Sequence, residues 1–190
     1  MTPNPSSLKF VADRFIIENN DIAEFESLDS TIGKSALAEK LFSFPFVKSV
    51  FIMSNFVTVS KSADVDWDLV KNELREFIQR HLMESKLAVA TDFIGAGSSD
   101  AAESTPTVQH NISNEMDEKI AGILDEYVKP AVERDGGAIH FQNFTEGVVT
   151  VSLKGSCSGC PSSTVTLKSG IETLLKSMLP EVQEVVAQDA

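Results

Sequence analysis

From Ala88 to Ser113 the chain offers little that a core could use. Gly95, Gly97, Ser98, Ser99, Ser104, Thr105 and Pro106 dominate, and large apolar side chains are sparse. A stretch of this kind cannot bury enough apolar surface to offset the entropy of ordering it, so it reads as a flexible linker. The 190 residues are therefore expected to fold as two small domains, 1–87 and 114–190, joined by a linker over 88–113. The expected fold class is α+β.

The first domain has enough large apolar residues for a core of its own. Leu8–Ala12 reads as a strand, entered from a Pro-Asn-Pro turn that cannot be helical. A second short strand is expected at Ala23–Ser27. Leu37, Leu41 and Phe44 recur at helical spacing over Ser35–Phe44, and Pro45 stops that helix. Val47–Met53 and Phe56–Ser60 are β-rich runs separated by Ser54-Asn55, which predicts a tight hairpin. Asp66 is placed to cap a helix whose stripe is Trp67, Val70, Leu74, Phe77 and Ile78, running to about Met83. His81, late in that helix, is expected at the surface, where a cation suits the dipole.

In the second domain Met116, Ile120, Ile123, Leu124, Tyr127, Val128 and Ala131 form a helical stripe. Pro130 should kink or restart this helix, and Asp135-Gly136-Gly137 should end it. Ile139, Phe141 and Asn143 alternate with His140 and Gln142 as a strand. Glu146-Gly147 turns the chain, and Val149, Val151 and Leu153 line a partner strand. Pro161 suits a helix start, Leu167, Ile171, Leu174, Leu175 and Met178 continue that helix, and Val182–Ala187 is a last strand. The order α-β-β-α-β packs most economically with the helices on one face of a small sheet.

Composition narrows the function classes. The chain carries 16 basic and 28 acidic residues, a net charge of −12, so nucleic acid and acidic membrane surfaces would be repelled. No apolar run approaches the roughly 18 residues that span a bilayer. The first residues show neither a secretory nor an organellar signal, which points to the cytoplasm, with the bacterial cytosol favoured.

The only two cysteines, Cys157 and Cys160, stand in Gly155-Ser156-Cys157-Ser158-Gly159-Cys160-Pro161-Ser162, directly between a strand and a helix. With no export signal, a short CxxC points to redox or metal chemistry before a structural staple. Exposed N–H groups and the positive end of a helix would favour thiolate, the form that binds metal or attacks disulfides. Gly155 and Gly159 would let the backbone approach a bulky anion. The small polar Ser156, Ser158, Ser162 and Ser163 would keep the loop exposed. Iron–sulfur clusters and structural zinc commonly take four protein ligands. His110 falls in the linker and His140 on a strand, so neither is a convincing third ligand. Either the site is shared by two chains or it is not a metal site. Cluster binding, structural zinc, dithiol redox chemistry and an inert pair all remain open on spacing alone.

The run from Gly155 to Glu172 (Gly-Ser-Cys-Ser-Gly-Cys-Pro-Ser-Ser-Thr-Val-Thr-Leu-Lys-Ser-Gly-Ile-Glu) resembles the C-terminal domain of NifU and the Nfu proteins, as does Pro130 followed by Asp135-Gly136-Gly137. Thr2 to Phe10, Leu41-Phe42, Val47 to Phe51 and Asp66-Trp67 resemble the Nfu N-terminal domain. One departure is Ala138, where the family often has an acidic residue. The resemblance implies a separate α+β N-terminal unit for recognising clients or partners, and a C-terminal two-layer α/β sandwich. It implies a non-enzymatic iron–sulfur cluster scaffold or carrier. A [4Fe–4S] cluster would be bridged between two subunits, a homodimer when loaded, by Cys157 and Cys160 of each. The cluster would come from an upstream assembly scaffold and pass to apo-protein clients. Two alternatives share the CxxC: a thiol–disulfide oxidoreductase, and a dimer clamped by structural zinc. Against the first, the spacer is Ser-Gly, no Trp precedes Cys157, and no longer βαβ framework comes before the motif.

Overall fold

The hairpin at Ser54-Asn55 organises the first sheet. Its strands β3 (Val47–Met53) and β4 (Phe56–Lys61) pair antiparallel, with Ser54 at φ +51° in the turn. β1 (Ser7–Val11) adds to β4 and β2 (Ile22–Phe25) to β3, giving the order β1-β4-β3-β2. The structure is a computed structural model that describes residues 4–17, 21–85, 87–89, 115–157 and 161–189. It divides into two compact units, the first carrying β1 and the elements through α3 (Trp67–Glu84), the second everything from α4 (Glu115–Ile123) onward.

Period-2 alternation puts Val50, Ile52, Val57 and Val59 on one face, packed with Leu37 and Leu41 of α2 (Ala36–Leu41) and Leu74, Ile78 and Leu82 of α3. Asp66 caps α3 as expected, accepting the Asp68 N–H at 2.9 Å. Trp67 Nε1 donates to Pro5 O at 2.9 Å and fastens the start of the chain to this helix. At the other end the Arg14 guanidinium donates to Leu82 O, and to Ser85 O at 3.4 Å, satisfying carbonyls that have no partner within a helix.

Four differences from the sequence reading have physical causes. A short helix, α1 (Leu28–Thr31), forms because Ser27 and Ser30 make a reciprocal capping box. α2 stops at Leu41 rather than Phe44. The residue before Pro45 is pushed out of the helical region, and Phe44 is used instead against Phe77, edge-on at 5.3 Å. His81 is buried, 7% exposed, and burial together with the nearby Lys40 charge holds its imidazole below the ordinary range, with Glu84 opposing. It is a neutral core residue, not a surface cation. Finally, Ala88 and Val89 belong to the first core, so the expected linker starts no earlier than residue 90. Ala88 N–H donates to Ile16 O at 2.7 Å, and Ser35 Oγ donates to Ala88 O at 2.5 Å.

The second unit follows the expected order. α4 continues through a π-helical turn, Leu124–Val128, into α5 (Lys129–Arg134). Its buried residues Ile120, Leu124, Val128 and Val132 step by four, which drifts about 40° per step on a 3.6-residue helix. One widened turn takes up that drift. It also removes the clash that Pro130 would make with an α-helical carbonyl four residues back. Tyr127 and Ala131, expected in the stripe, face solvent as a result.

β5 (Gly137–Thr145) and β6 (Val148–Gly155) form a hairpin through Glu146 and Gly147, both at positive φ, 52° and 86°, as a two-residue twisted turn requires. A bulge at Gln142 shifts the register between Phe141 and Asn143, so Phe144 rather than Asn143 meets the core. α6 (Pro161–Met178) crosses back to β7 (Glu184–Asp189), which pairs parallel to β6 in the order β5-β6-β7. Val149, Val151 and Leu153 pack with Ile171 and Leu175 of α6 and with the α4–α5 stripe, the expected two-layer arrangement. Lys168 to Glu184 at 3.2 Å, and Glu172 Oε2 accepting the Val185 N–H at 3.4 Å, fasten α6 to β7.

Candidate metal centre

β6 ends on Gly155, whose Cα partner across the ladder is Gly137. Gly155 takes φ +71°, which turns the chain out of the sheet at a value that favours glycine. The next residue is stitched to the turn between α5 and β5. Ser156 N–H donates to Gly136 O at 3.3 Å, and Ser156 Oγ donates to Asp135 O at 2.6 Å. Asp135 is the C-cap of α5, and Gly136 follows it at φ +85°, the left-handed position that closes a helix.

These bonds set Cys157 down against the start of β5. A Cβ built on Gly137 would lie 2.9 Å from Cys157 Sγ and 2.6 Å from Lys154 O. Glycine is present there for space, since the Lys154 carbonyl and the sulfur together crowd the volume that a side chain would fill. Cys157 is 5% exposed and packs with the second core. Burial pushes its thiol above the ordinary range and the Asp135 carboxylate pushes the same way, while the Ser156 hydroxyl, 3.9 Å from the sulfur, opposes. The sequence reading expected the reverse, an exposed loop with stabilised thiolate. Desolvation of Cys157 outweighs any dipole stabilisation in this conformation.

Pro161 begins α6 as expected. Cys160, Ser158 and Gly159 lie outside the described residues, as does His110. His140 sits on β5 in register with Ser152, on the sheet face opposite the Leu153 core row. His81 is in the first unit. Among the described residues no three His, Cys, Asp or Glu side chains gather where they could hold a metal ion.

The sequence reading does not mark Gly137 as part of the Cys157 site, and Ser156, expected to keep the loop exposed, is itself buried. A usable signal existed for Gly137: one glycine suffices to cap α5, and the second of the pair has no conformational need. Ser156 carried no signal beyond being small and polar, because its partner lies 21 residues away. Ala138 is buried.

A family described as "Scaffold protein Nfu/NifU N terminal" matches residues 1–85, and one described as "NifU-like domain" matches residues 120–186. A Homo sapiens protein named "NFU1 iron-sulfur cluster scaffold homolog, mitochondrial" is 37% identical over 188 residues, covering 97% of this chain and 68% of its own length. The chain belongs to the Nfu/NifU family. A relative of the same name from Drosophila ananassae is 37% identical over 187 residues, 97% of this chain and 61% of that protein. The chain thus spans about three-fifths of the length of this fly relative. A solution structure of a NifU-like protein from Saccharomyces cerevisiae aligns with 47% of this chain and 80% of its own at 25% identity, TM-score 0.43. Both named relatives are called mitochondrial, which overturns the expectation of a bacterial cytosolic Nfu protein.

Proposed function

We propose that this chain is a non-enzymatic scaffold or carrier for a [4Fe–4S] cluster, held between two copies by Cys157 and Cys160 of each and passed to apo-protein clients. The cluster is cargo, received from an upstream assembly scaffold. In this reading residues 114–190 hold it and the first domain recognises clients or donors. The mitochondrial naming of the relatives supports a mitochondrial location.

One observation carries the reading. A chain of the Nfu/NifU family has only two cysteines, so four thiolates require two chains. The burial of Cys157 bears on the order of events. A sulfur must be accessible and deprotonated to bind iron, so Cys157 has to turn outward from its buried position before loading.

The test is anaerobic native mass spectrometry after reconstitution with iron and sulfide, with wild type beside Cys157→Ser and Cys160→Ser. Expected is a wild-type dimer bearing one four-iron cluster, lost in each variant, with the visible absorption of iron–sulfur bonds. A wild-type monomer that takes up no iron refutes the reading, and a colourless zinc-loaded dimer replaces it with the zinc clamp.

A further inference from the structure

We propose that Gly137 and Ser156 are positioning residues for Cys157, holding its sulfur inward against the α5–β5 turn in the unloaded chain so that loading requires this seat to open. The assignment of Cys157 as a ligand is the proposed function above. The seat itself is a property of the metal-free fold.

Two independent features of the geometry meet at one place. The sulfur, beside the Lys154 carbonyl, lies against the place where Gly137 has no side chain, at a distance that a real Cβ could not share. The backbone immediately before it is tied to the same turn by both the amide and the hydroxyl of Ser156, itself buried. Either feature alone could be local packing. Together they hold Cys157 against the α5–β5 turn. Ser156 Oγ donates a hydrogen bond to Asp135 O, so the hydroxyl acts as a latch between the end of α5 and Cys157.

The consequence is a ligand with two positions. With the latch closed the sulfur is shielded from solvent and from reagents. With it open, Cys157 is free to turn outward toward a second copy. Weakening the latch should therefore make the thiol more reactive and its loading faster, whereas a merely structural role for Ser156 would lower stability without selectively uncovering one sulfur.

The experiment uses the full-length, reduced, metal-free chain. Iodoacetamide is added at a single pH of about 8, where ordinary thiols are partly ionised. Modification of Cys157 is read separately from Cys160 by fragment-ion mass spectrometry. In the wild type, Cys157 should react about tenfold or more slowly than in the denatured chain. Ser156→Ala should raise the folded-state rate several-fold, about three or more, while circular dichroism and the hydrogen exchange of β6 amides remain those of a folded unit. Gly137→Ala, whose Cβ would crowd both the Lys154 carbonyl and the sulfur, should push the sulfur from its seat and raise the rate further. Ser152→Ala, at a buried serine within β6 and outside the seat, should leave it unchanged. The seat is overturned if wild-type Cys157 already reacts at the denatured rate, or if Ser156→Ala folds and leaves the rate where it was. Should Gly137→Ala fail to fold, Ser156→Ala decides alone. Anaerobic iron and sulfide uptake, followed in the same set, should be faster in Ser156→Ala. Slow alkylation in the wild type and fast alkylation in the variant, with no iron taken up by any chain, would keep the seat and overturn the cluster reading instead.

Discussion

Ser35→Ala should cost the first unit far more than a helix cap usually does. The Ser35 hydroxyl accepts the Ala38 N–H at 3.1 Å, capping α2, and donates to Ala88 O at 2.5 Å. Loss of the cap alone costs about 1 kcal/mol. Ala88 O then loses a buried donor, and an unsatisfied buried carbonyl costs about 1–3 kcal/mol more. The sum is roughly 2–4 kcal/mol. Ser27→Ala is the internal control, because Ser27 also caps a helix but is exposed and makes no such second bond. It should cost no more than about 1 kcal/mol. The chain has a single tryptophan, Trp67, which lies in the first unit, so its fluorescence during urea unfolding reports that unit. With a denaturant slope of about 1.3 kcal/mol/M, Ser35→Ala should lower the midpoint by roughly 1.5–3 M and Ser27→Ala by less than about 1 M. Equal shifts for the two variants would refute the reasoning, since the Ala88–Val89 segment would then contribute nothing through Ser35.

Further predictions concern the buried histidine, the seat and the widened turn. Because the folded chain holds His81 below its ordinary value near 6.5 while the unfolded chain titrates there, the unfolded state binds the extra proton as pH falls through that value. Stability of the first unit is therefore full above that pH and declines below it. His81→Gln should flatten the decline when Trp67 unfolding curves are compared between about pH 5.5 and 7.5. In a double-mutant cycle on the metal-free chain, Gly137→Ala should cost about 1–3 kcal/mol by overpacking, and somewhat less in a Cys157→Ala background, where the clash with the Lys154 carbonyl stays and that with the sulfur is gone. Additive costs in thermal denaturation would mean that the sulfur does not sit against Gly137. In α4–α5, Val128→Ala should destabilise the second unit by about 1–3 kcal/mol, but Tyr127→Ala, at a residue 51% exposed, by no more than about 0.5 kcal/mol. The opposite ranking would restore an unbroken α-helix through Pro130.

Much of the fold was legible because its cues are short-range. The Ser54-Asn55 hairpin, the Asp66 cap, the Glu146-Gly147 turn and the start of α6 at Pro161 each depend on residues within a few positions of one another. The misreadings lie where a distant partner intervenes. His81 faces the core because α3 packs against the first sheet, and no feature of its own turn says so. Asn143 lost its inward place to Phe144 because β6 imposes a bulge on β5. Tyr127 left the apolar stripe because the positions that the sheet can cover step by four, not by 3.6.

At the cysteine loop the division is sharper. Residue types and spacing along the chain were enough to name the groups available: two thiols, glycines beside them and a helix start just after. Whether a sulfur faces solvent or protein is a different kind of fact. It depends on which backbone groups from elsewhere arrive next to it, and for Cys157 these are Gly137 and the Asp135 carbonyl, some 20 residues earlier in the chain. Desolvation is set by everything within a few ångströms in three dimensions, so it emerges only when β5 and β6 pair. That pairing turned an expected exposed thiolate into a shielded thiol.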